Sequence, residues 1–295
     1  MIVVNTQPFS LVYTLVNHPH LGFILEPHIV QINSLGKYSL THQRIFTKTA
    51  DYFSRCIQEK DYEIIALLDE LDDDYLFKKF YTDTKKKIRT AEFISKIKES
   101  AYEEKVKTFV EERMIKALNL LKGQAIFKTG NDNNPTSMQI DVSNEKASVL
   151  FHFKRDADGT RYFPTIKFKG IRVEFMFKNA QIISYNPAWM LLGNDLFDFE
   201  KDVDGKKLFP FLNKRFIQIN KSSEDTYFNK FVYQLIEKYN VFAEGFEINT
   251  KQPEGKAILT MQQVIGDDIA LKFSFNYDGA SFDYGTLNKI SVVVK

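Results

Sequence analysis

The hydrophobic periodicity of the 295-residue chain changes at Gly123, and this change limits the folds that the sequence can adopt. Shortly before Gly123, apolar residues recur every three or four positions, the spacing of one helix face. This stripe consists of Tyr102, Val106, Phe109, Val110, Met114, Ala117, Leu118 and Leu121. After Gly123, apolar and polar residues largely alternate, as in a half-buried strand. We therefore expect two parts, residues 1–122 and 123–295, with no flexible linker between them.

The predicted helix also has a charged face, which we expect to be turned towards water. Its members are Glu103, Glu104, Lys105, Lys107, Glu111, Glu112 and Lys116. Charges of both signs are typical of the solvated side of a helix, so this face by itself predicts no binding site.

The N-terminal part begins with strand patterns and then becomes helical. Alternation over residues 9–33 predicts a β-hairpin, and residues 38–46 predict a third strand. Pro27 has no N–H, so its strand is expected to lie at a sheet edge or to carry a bulge there. From Asp51 the spacing of apolar residues again becomes that of a helix.

The C-terminal part contains turn signals between short strand patterns. Asp-Gly pairs at Asp158-Gly159, Asp204-Gly205 and Asp278-Gly279 predict hairpin turns, because glycine adopts positive φ without strain. One helix, at about residues 223–239 and capped by Ser222 or Ser223, interrupts the strands. The predicted class is α+β: an N-terminal hairpin and helical segment, followed by a mainly antiparallel β-rich domain with one long helix.

Composition excludes several classes of protein. The net charge of +2 does not fit a globally basic nucleic-acid-binding protein, although a local basic patch is compatible with it. Cys56 is the only cysteine, so a disulfide framework within one chain is impossible. No apolar stretch reaches the roughly 20 residues of a membrane span, and the N-terminus lacks a basic leader. We expect a cytoplasmic protein without membrane contact.

No constellation of residues predicts catalysis. The sequence has no Gly-x-Ser-x-Gly elbow, no Gly-x-Gly-x-x-Gly loop, no His-Glu-x-x-His pair and no Walker A loop. His18, His20 and His28, with Glu26, are the best candidates for metal ligands, but Pro19 favours a solvated hairpin turn instead. We therefore predict no catalytic residue, no metal and no cofactor. An enzyme assembled from residues distant in sequence is the alternative.

Two basic segments are the candidate nucleic-acid-binding residues. In the hairpin predicted over residues 166–178, one face is apolar and the other carries cations that can follow a phosphate backbone. The second segment is a run of cations before the long helix. Together they comprise Lys167, Lys169, Arg172 and Lys178, and Lys85, Lys86, Lys87 and Arg89. The alternative is that both segments are solvated surfaces, since Glu174 interrupts the first.

Four stretches resemble a known family in their pattern and order. They are Leu21–Val30, Ile64–Leu71, Gly245–Ile248 and Ile258–Phe273. The chain resembles the N-terminal, non-motor region of Swi/Snf-type helicase-like ATPases of Bacteroidetes-like bacteria. In that family the ATP-binding loop lies downstream, so the resemblance implies an accessory module with no catalytic residue of its own. The strand pattern that ends at Lys295 suggests a domain border, as this reading expects.

The resemblance implies two partners, DNA and the downstream motor lobes of the same polypeptide. The alternative is a stand-alone protein-interaction or structural module that binds no nucleic acid. Exposed aromatic residues on a sheet edge would carry that function, because an edge strand accepts a partner strand.

Overall fold

The computed structural model describes residues 8–83, 87–130, 134–173, 180–247, 255–263, 269–277 and 280–283. In these residues helices and strands combine in mixed sheets. The predicted α+β class is confirmed.

Three strands open the chain. They are β1 (Phe9–His18), β2 (Gly22–Ile32) and β3 (Tyr38–Arg44). β1 and β2 pair antiparallel from Phe9↔Gln31 to His18↔Gly22, so the predicted hairpin is confirmed. β3 pairs antiparallel with the other side of β2.

β2 lies between two strands and is not an edge strand, but Pro27 lies at a position of β2 beyond its ladder with β3, and the β2–β3 register shifts between Val30 and Ile32. The last β2–β3 pair is His28↔Arg44, and Pro27 lies one residue beyond it. There its carbonyl accepts a hydrogen bond from the Ile45 N–H at 3.0 Å. The missing N–H of proline therefore falls at the end of the ladder, where no strand bond depends on it.

Five α-helices follow among the described residues: α1 (Thr47–Ala50), α2 (Glu59–Asp69), α3 (Asp73–Phe80), α4 (Thr90–Ser95) and α5 (Glu103–Leu120). α5 is the long helix that the stripe predicts, and that stripe supplies its buried face. Gly123 follows it with φ of 77°, a conformation that glycine adopts without a steric penalty.

The remaining described elements are mainly strands, with further short helices. The strands are β4 (Ala125–Lys128), β5 (Met138–Val142), β6 (Ser148–Asp156), β7 (Gly159–Phe168), β8 (Ile171–Val173), β9 (Ala180–Tyr185), β10 (Ala188–Leu192), β11 (Asp195–Asp198), β12 (Ile217–Asn220), β13 (Asn240–Glu244), β14 (Gly255–Gln263), β15 (Ile269–Tyr277) and β16 (Ala280–Asp283). The helices are α6 (Gly205–Leu208), which precedes β12, and α7 (Lys221–Tyr227) and α8 (Tyr233–Lys238), which lie between β12 and β13.

Among the described residues the strands form three sheets. The first has the order β3-β2-β1-β4-β5-β11-β10-β9, with parallel β1–β4 and β5–β11 pairs and antiparallel pairs elsewhere. The second has the order β12-β7-β6-β13, with β8 on β7, and the third has the order β14-β15-β16. The first sheet curves strongly. Lys128 Nζ of β4 donates to Gln181 Oε1 of β9 at 2.7 Å although three strands separate β4 from β9, and a flat sheet would keep these side chains far apart.

The chain divides into two compact units, and the division does not fall at Gly123. Unit 1 comprises residues 1–150 and 163–216, and unit 2 comprises residues 151–162 and 217–295. The predicted boundary lies inside unit 1, because β1 pairs in parallel with β4 through Thr14↔Phe127. The change of period at Gly123 thus marks a helix end within one unit.

The core of unit 1 joins α5 to both ends of the first sheet. Val106, Met114 and Leu118 of α5 belong to one buried cluster with Leu15 and Leu25 of the first hairpin. Trp189 of β10, 1% exposed, belongs to the same cluster. Residues on both sides of Gly123 therefore share a single core.

Unit 2 is built around the helix predicted at residues 223–239. α7 and α8 are joined by one π-helical segment, Phe228–Val232, so the helical run extends from Lys221 to Lys238. Its N-cap is Asn220, two residues before Ser222, and not Ser222 or Ser223 as predicted. Its aromatic face packs on β6 and β7 of the same unit, where the ring centroids of Phe231 and Tyr162 lie 5.3 Å apart. No helix in the described part of the chain is long and apolar enough to cross a membrane.

Candidate functional site

The predicted basic hairpin is present over the residues that the structure describes. β7 and β8 pair through Ile166↔Val173, Lys167↔Arg172 and Phe168↔Ile171. Lys169 and Gly170 form the turn with φ of 48° and 77°, the double positive φ of a type I′ turn. Lys178 lies outside the described residues.

The hairpin is amphipathic only in part. Ile166 and Phe168 are buried, as the pattern predicts, and the ring of Phe168 stacks on Phe197 at 4.1 Å. Ile171, predicted on the same apolar face, is 70% exposed because it follows the turn at the tip of the hairpin. The apolar face therefore anchors β7, whereas the tip of β8 is open to solvent.

The cations of the hairpin differ in their surroundings. Lys169 Nζ lies 2.6 Å from Asp195 Oδ1, so an acidic neighbour already offsets its charge. Arg172 Nη2 donates to Thr165 Oγ1 at 3.2 Å, and Lys167 is exposed with no carboxylate within 4 Å among the described residues. Lys167 and Arg172 are directly opposite each other, and like charges so placed destabilise a strand pair.

The second predicted basic segment is only partly described. Lys85 and Lys86 lie outside the described residues, and Lys87 and Arg89 are exposed. The Arg89 backbone is the N-cap of α4, where its carbonyl accepts the Phe93 N–H at 3.0 Å. No hydrogen bond or ion pair joins Lys87 or Arg89 to the β7–β8 hairpin in the part of the chain that the structure covers.

Of the histidines considered as metal ligands, His18 and His20 lie together in the hairpin turn and His28 lies apart from them. His18 Nδ1 accepts the backbone N–H groups of His20 and Leu21, which makes it part of the hairpin turn. His28 is paired with Val12 in the β1–β2 register, six positions from His18, and its ring contacts His42. Among the described residues, no group of three or more His, Cys, Asp or Glu side chains could hold a metal ion.

A further segment, which is both basic and aromatic, was not predicted from the sequence. Residues 205–216 contain four cations and no carboxylate. Exposed members are Lys206, Phe209, Lys214, Arg215 and Phe216. The signal that could have found it is the interleaving of Lys and Arg with Phe, which is typical of single-strand nucleic-acid binding surfaces.

Unit 1 also contains a cavity of about 280 Å³. It lies between the β1–β2 turn, α5 and β9. Its apolar lining includes Phe23, Val106, Val110, Met114, Ile182 and Ile183. Ile182 and Ile183 are consecutive, yet both line it, because the β9–β10 register shifts at this point and leaves Ile183 unpaired.

Glu111 of α5 is the carboxylate of this cavity, and the prediction that it faces water is wrong. It is half-buried, and its Oε1 accepts the Tyr185 N–H at 3.3 Å. Burial raises the pKa of the Glu111 carboxyl, against the backbone N–H groups of Tyr185 and Asn186 and the positive charges of Lys107 and Lys206. β9 packs against this one position of the predicted charged face, whereas the other members of that face are exposed as predicted.

Comparison with known proteins finds no matching family model, no matching curated protein and no matching solved structure.

Proposed function

We propose that this chain is a non-catalytic accessory module of a Swi/Snf-type DNA-dependent ATPase and that it contacts the phosphate backbone of DNA. The family part of the proposal rests on the sequence resemblance of four stretches. The DNA-binding part rests on one observation, the exposed cross-strand pair of Lys167 and Arg172.

This pair is a better phosphate site than an ordinary solvated surface because its two cations oppose each other. Two like charges on facing strands repel, and a phosphate between them would turn that repulsion into two attractions. Arg172 can offer a two-pronged donor, and Lys167 a point charge. Lys169 contributes less, because Asp195 already accepts its hydrogen bond at 2.6 Å.

The basic and aromatic segment of residues 205–216 supports the same function independently. Phe209 is 51% exposed and Phe216 is 41% exposed, beside cations on the same short segment. Aromatic faces and cations together suit single-stranded nucleic acid, since bases stack on rings whatever their sequence.

The proposal is tested by fluorescence anisotropy with two labelled DNA duplexes of unrelated sequence. Charge reversal in Lys167→Glu/Arg172→Glu should raise the Kd at least about fivefold for both duplexes alike, because phosphate contacts carry no sequence information. The matched control is Lys37→Glu/Lys48→Glu, which makes the same charge change at two other exposed lysines. Equal losses in the two double variants would contradict a site at the hairpin.

A specific observation favours a second function, protein interaction through a strand edge. β3 ends the first sheet in the described part of the chain, and it presents Tyr38 at 42% and Leu40 at 73% exposure. An edge strand with exposed apolar side chains can accept a strand from a partner. A partner captured in nuclease-treated lysate and lost in Leu40→Lys would favour this function, provided that the variant unfolds at the same denaturant concentration as the native chain.

A further inference from the structure

We propose that the cavity of unit 1 is a binding site for a small organic amine, with the apolar part of the ligand inside the cavity and its ammonium group on the Glu111 carboxylate. This inference does not depend on DNA binding or on the Swi/Snf resemblance. It rests on the shape of the cavity, the placement of its charged groups and its volume.

The lining of the cavity is built from four separate segments, the β1–β2 turn, residues 97–98, α5 and β9, and is mostly apolar. Val106, Val110 and Met114 of α5 are 1–3% exposed, and Ile182 and Ile183 of β9 are each 7% exposed. Small-molecule sites have this composition, an apolar wall with a few polar groups that orient the ligand. The irregularity in β9 is also typical of binding sites, since a bulge redirects a side chain that a regular strand would turn away.

Glu111 is the polar group that selects the ligand. Its carboxylate accepts a backbone N–H, but no Lys, Arg or His nitrogen among the described residues lies within 4 Å of it. A half-buried carboxylate with no cation within 4 Å is best satisfied by a ligand cation that also donates hydrogen bonds. An ammonium group meets both requirements.

The lysines near the cavity act on Glu111 at longer range, but among the described residues none forms an ion pair with it. Lys107 Nζ lies over the Tyr185 ring, 5.1 Å from its centroid. Lys98 Nζ donates to the Pro19 carbonyl at 3.5 Å. Glu103, one further carboxylate in the lining, adds negative charge. Lys98 and Lys107 formally balance Glu103 and Glu111 in the lining, so the preference for an ammonium group comes from the hydrogen bonds and the short-range ion pair that Glu111 can offer it.

The volume limits the size of the ligand. A dry cavity of about 150 Å³ accommodates benzene, which has six carbon atoms. At about 280 Å³, this cavity is nearly twice as large and fits roughly ten non-hydrogen atoms. A ring or short branched chain with one amine has this size, whereas a nucleotide or a lipid does not.

Three probes of nearly equal size test the proposal with the full chain: 2-phenylethylamine, ethylbenzene and phenylacetate. Methyl NMR follows the signals of Met114, Ile182 and Ile183, which line the cavity. We expect the Kd obtained from these shifts to be at least tenfold lower for 2-phenylethylamine than for ethylbenzene. Phenylacetate should bind more weakly than either. Absence of shifts with all three probes, or tighter binding of phenylacetate, would overturn the proposal.

Glu111→Gln separates the charge from the shape of the site. It should weaken the binding of 2-phenylethylamine at least tenfold and leave ethylbenzene unchanged. Glu104→Gln, at an exposed position of the same helix, should change neither affinity. Unaltered amine affinity in Glu111→Gln would overturn the proposal. Val110→Phe, which fills the cavity, should abolish the binding of both 2-phenylethylamine and ethylbenzene. If Val110→Phe does not fold, the amine affinity of Glu111→Gln alone tests the proposal.

Discussion

His28 is a buried histidine whose protonation opposes folding. It is 7% exposed, and burial together with the neighbouring charge of His42 lowers its pKa from 6.5 to about 4, although Glu26 acts in the opposite direction. Between these two values the unfolded chain binds a proton that the folded chain does not. The contribution of His28 to stability is therefore complete above pH 6.5 and is lost as the pH falls towards 4.

A neutral replacement of His28 should remove this dependence. A shift of this size corresponds to about 3 kcal/mol. Urea unfolding at pH 7 and pH 4 should show that His28→Gln loses about 3 kcal/mol less than the native chain over this interval. Parallel losses in both proteins would show that His28 takes up its proton without unfolding the chain.

The hydroxyl of Tyr13 stabilises the start of α2. It donates to Asp61 Oδ1 at 2.8 Å, while Asp61 Oδ2 accepts the Gln58 N–H at 2.8 Å in the first turn of the helix. Tyr13→Phe should reduce the free energy of unfolding by about 2 kcal/mol, because the lost bond goes to a charged group in a buried site. Chemical denaturation measures this, with Tyr52→Phe, 83% exposed, as a control that should change nothing. An equal effect of both variants would contradict the role of Asp61.

At the residue scale, hydrophobic periodicity predicted the buried side chains of α5 correctly but did not predict the cavity that contains Glu111. The stripe of α5 is buried as predicted, because a helical pattern depends only on nearby residues. Glu111 was assigned to water because its neighbours in sequence are charged. What buries it is β9, about 70 residues later, and no local pattern contains that contact.

Among the elements, the β6–β7 hairpin depends on one glycine. Gly159 has φ of 136°, and an added Cβ would lie 2.2 Å from the Ile219 carbonyl oxygen of β12. Gly159→Ala should therefore cost at least about 2 kcal/mol, since both the backbone strain and the β7–β12 contact oppose it. Gly193→Ala is the matched control, with positive φ of 59° but open space around the added atom, and should cost only about 1 kcal/mol.

Denaturant midpoints compare the two glycine variants directly. Similar losses of stability in the two variants would show that backbone strain alone accounts for the cost of Gly159→Ala, and that the close approach of β12 to Gly159 contributes nothing.

The elements that the sequence predicts well are those with local partners. β1 and β2 are joined by a short turn, and the type I′ turn at Lys169 and Gly170 follows a hairpin pattern. The parallel β1–β4 pair joins residues more than 100 positions apart, and nothing in the local alternation specifies it. The place of Pro27 just beyond the β2–β3 ladder likewise depends on β3, which the local alternation of β2 does not specify.

At the scale of the whole molecule, the core of unit 1 requires residues from both sides of Gly123. The buried cluster that contains α5 also contains Ile126, Ile140, Trp189 and Leu196. A fragment of residues 1–122 should therefore lack a cooperative thermal transition in circular dichroism, whereas a fragment of residues 1–216 should retain one. A cooperative transition in the shorter fragment would restore the domain boundary that periodicity predicts.

The central claim is that exposed cations of the hairpin hold DNA by its phosphates, and the salt dependence of binding tests it most directly. Anisotropy titrations between about 50 and 200 mM salt give the slope of log K against log salt, about −0.9 for each phosphate neutralised. We expect a slope of about −2 or steeper for the native chain, reduced in magnitude by about 2 in Lys167→Glu/Arg172→Glu. An affinity that does not change with salt, or equal slopes in the two proteins, would contradict the account.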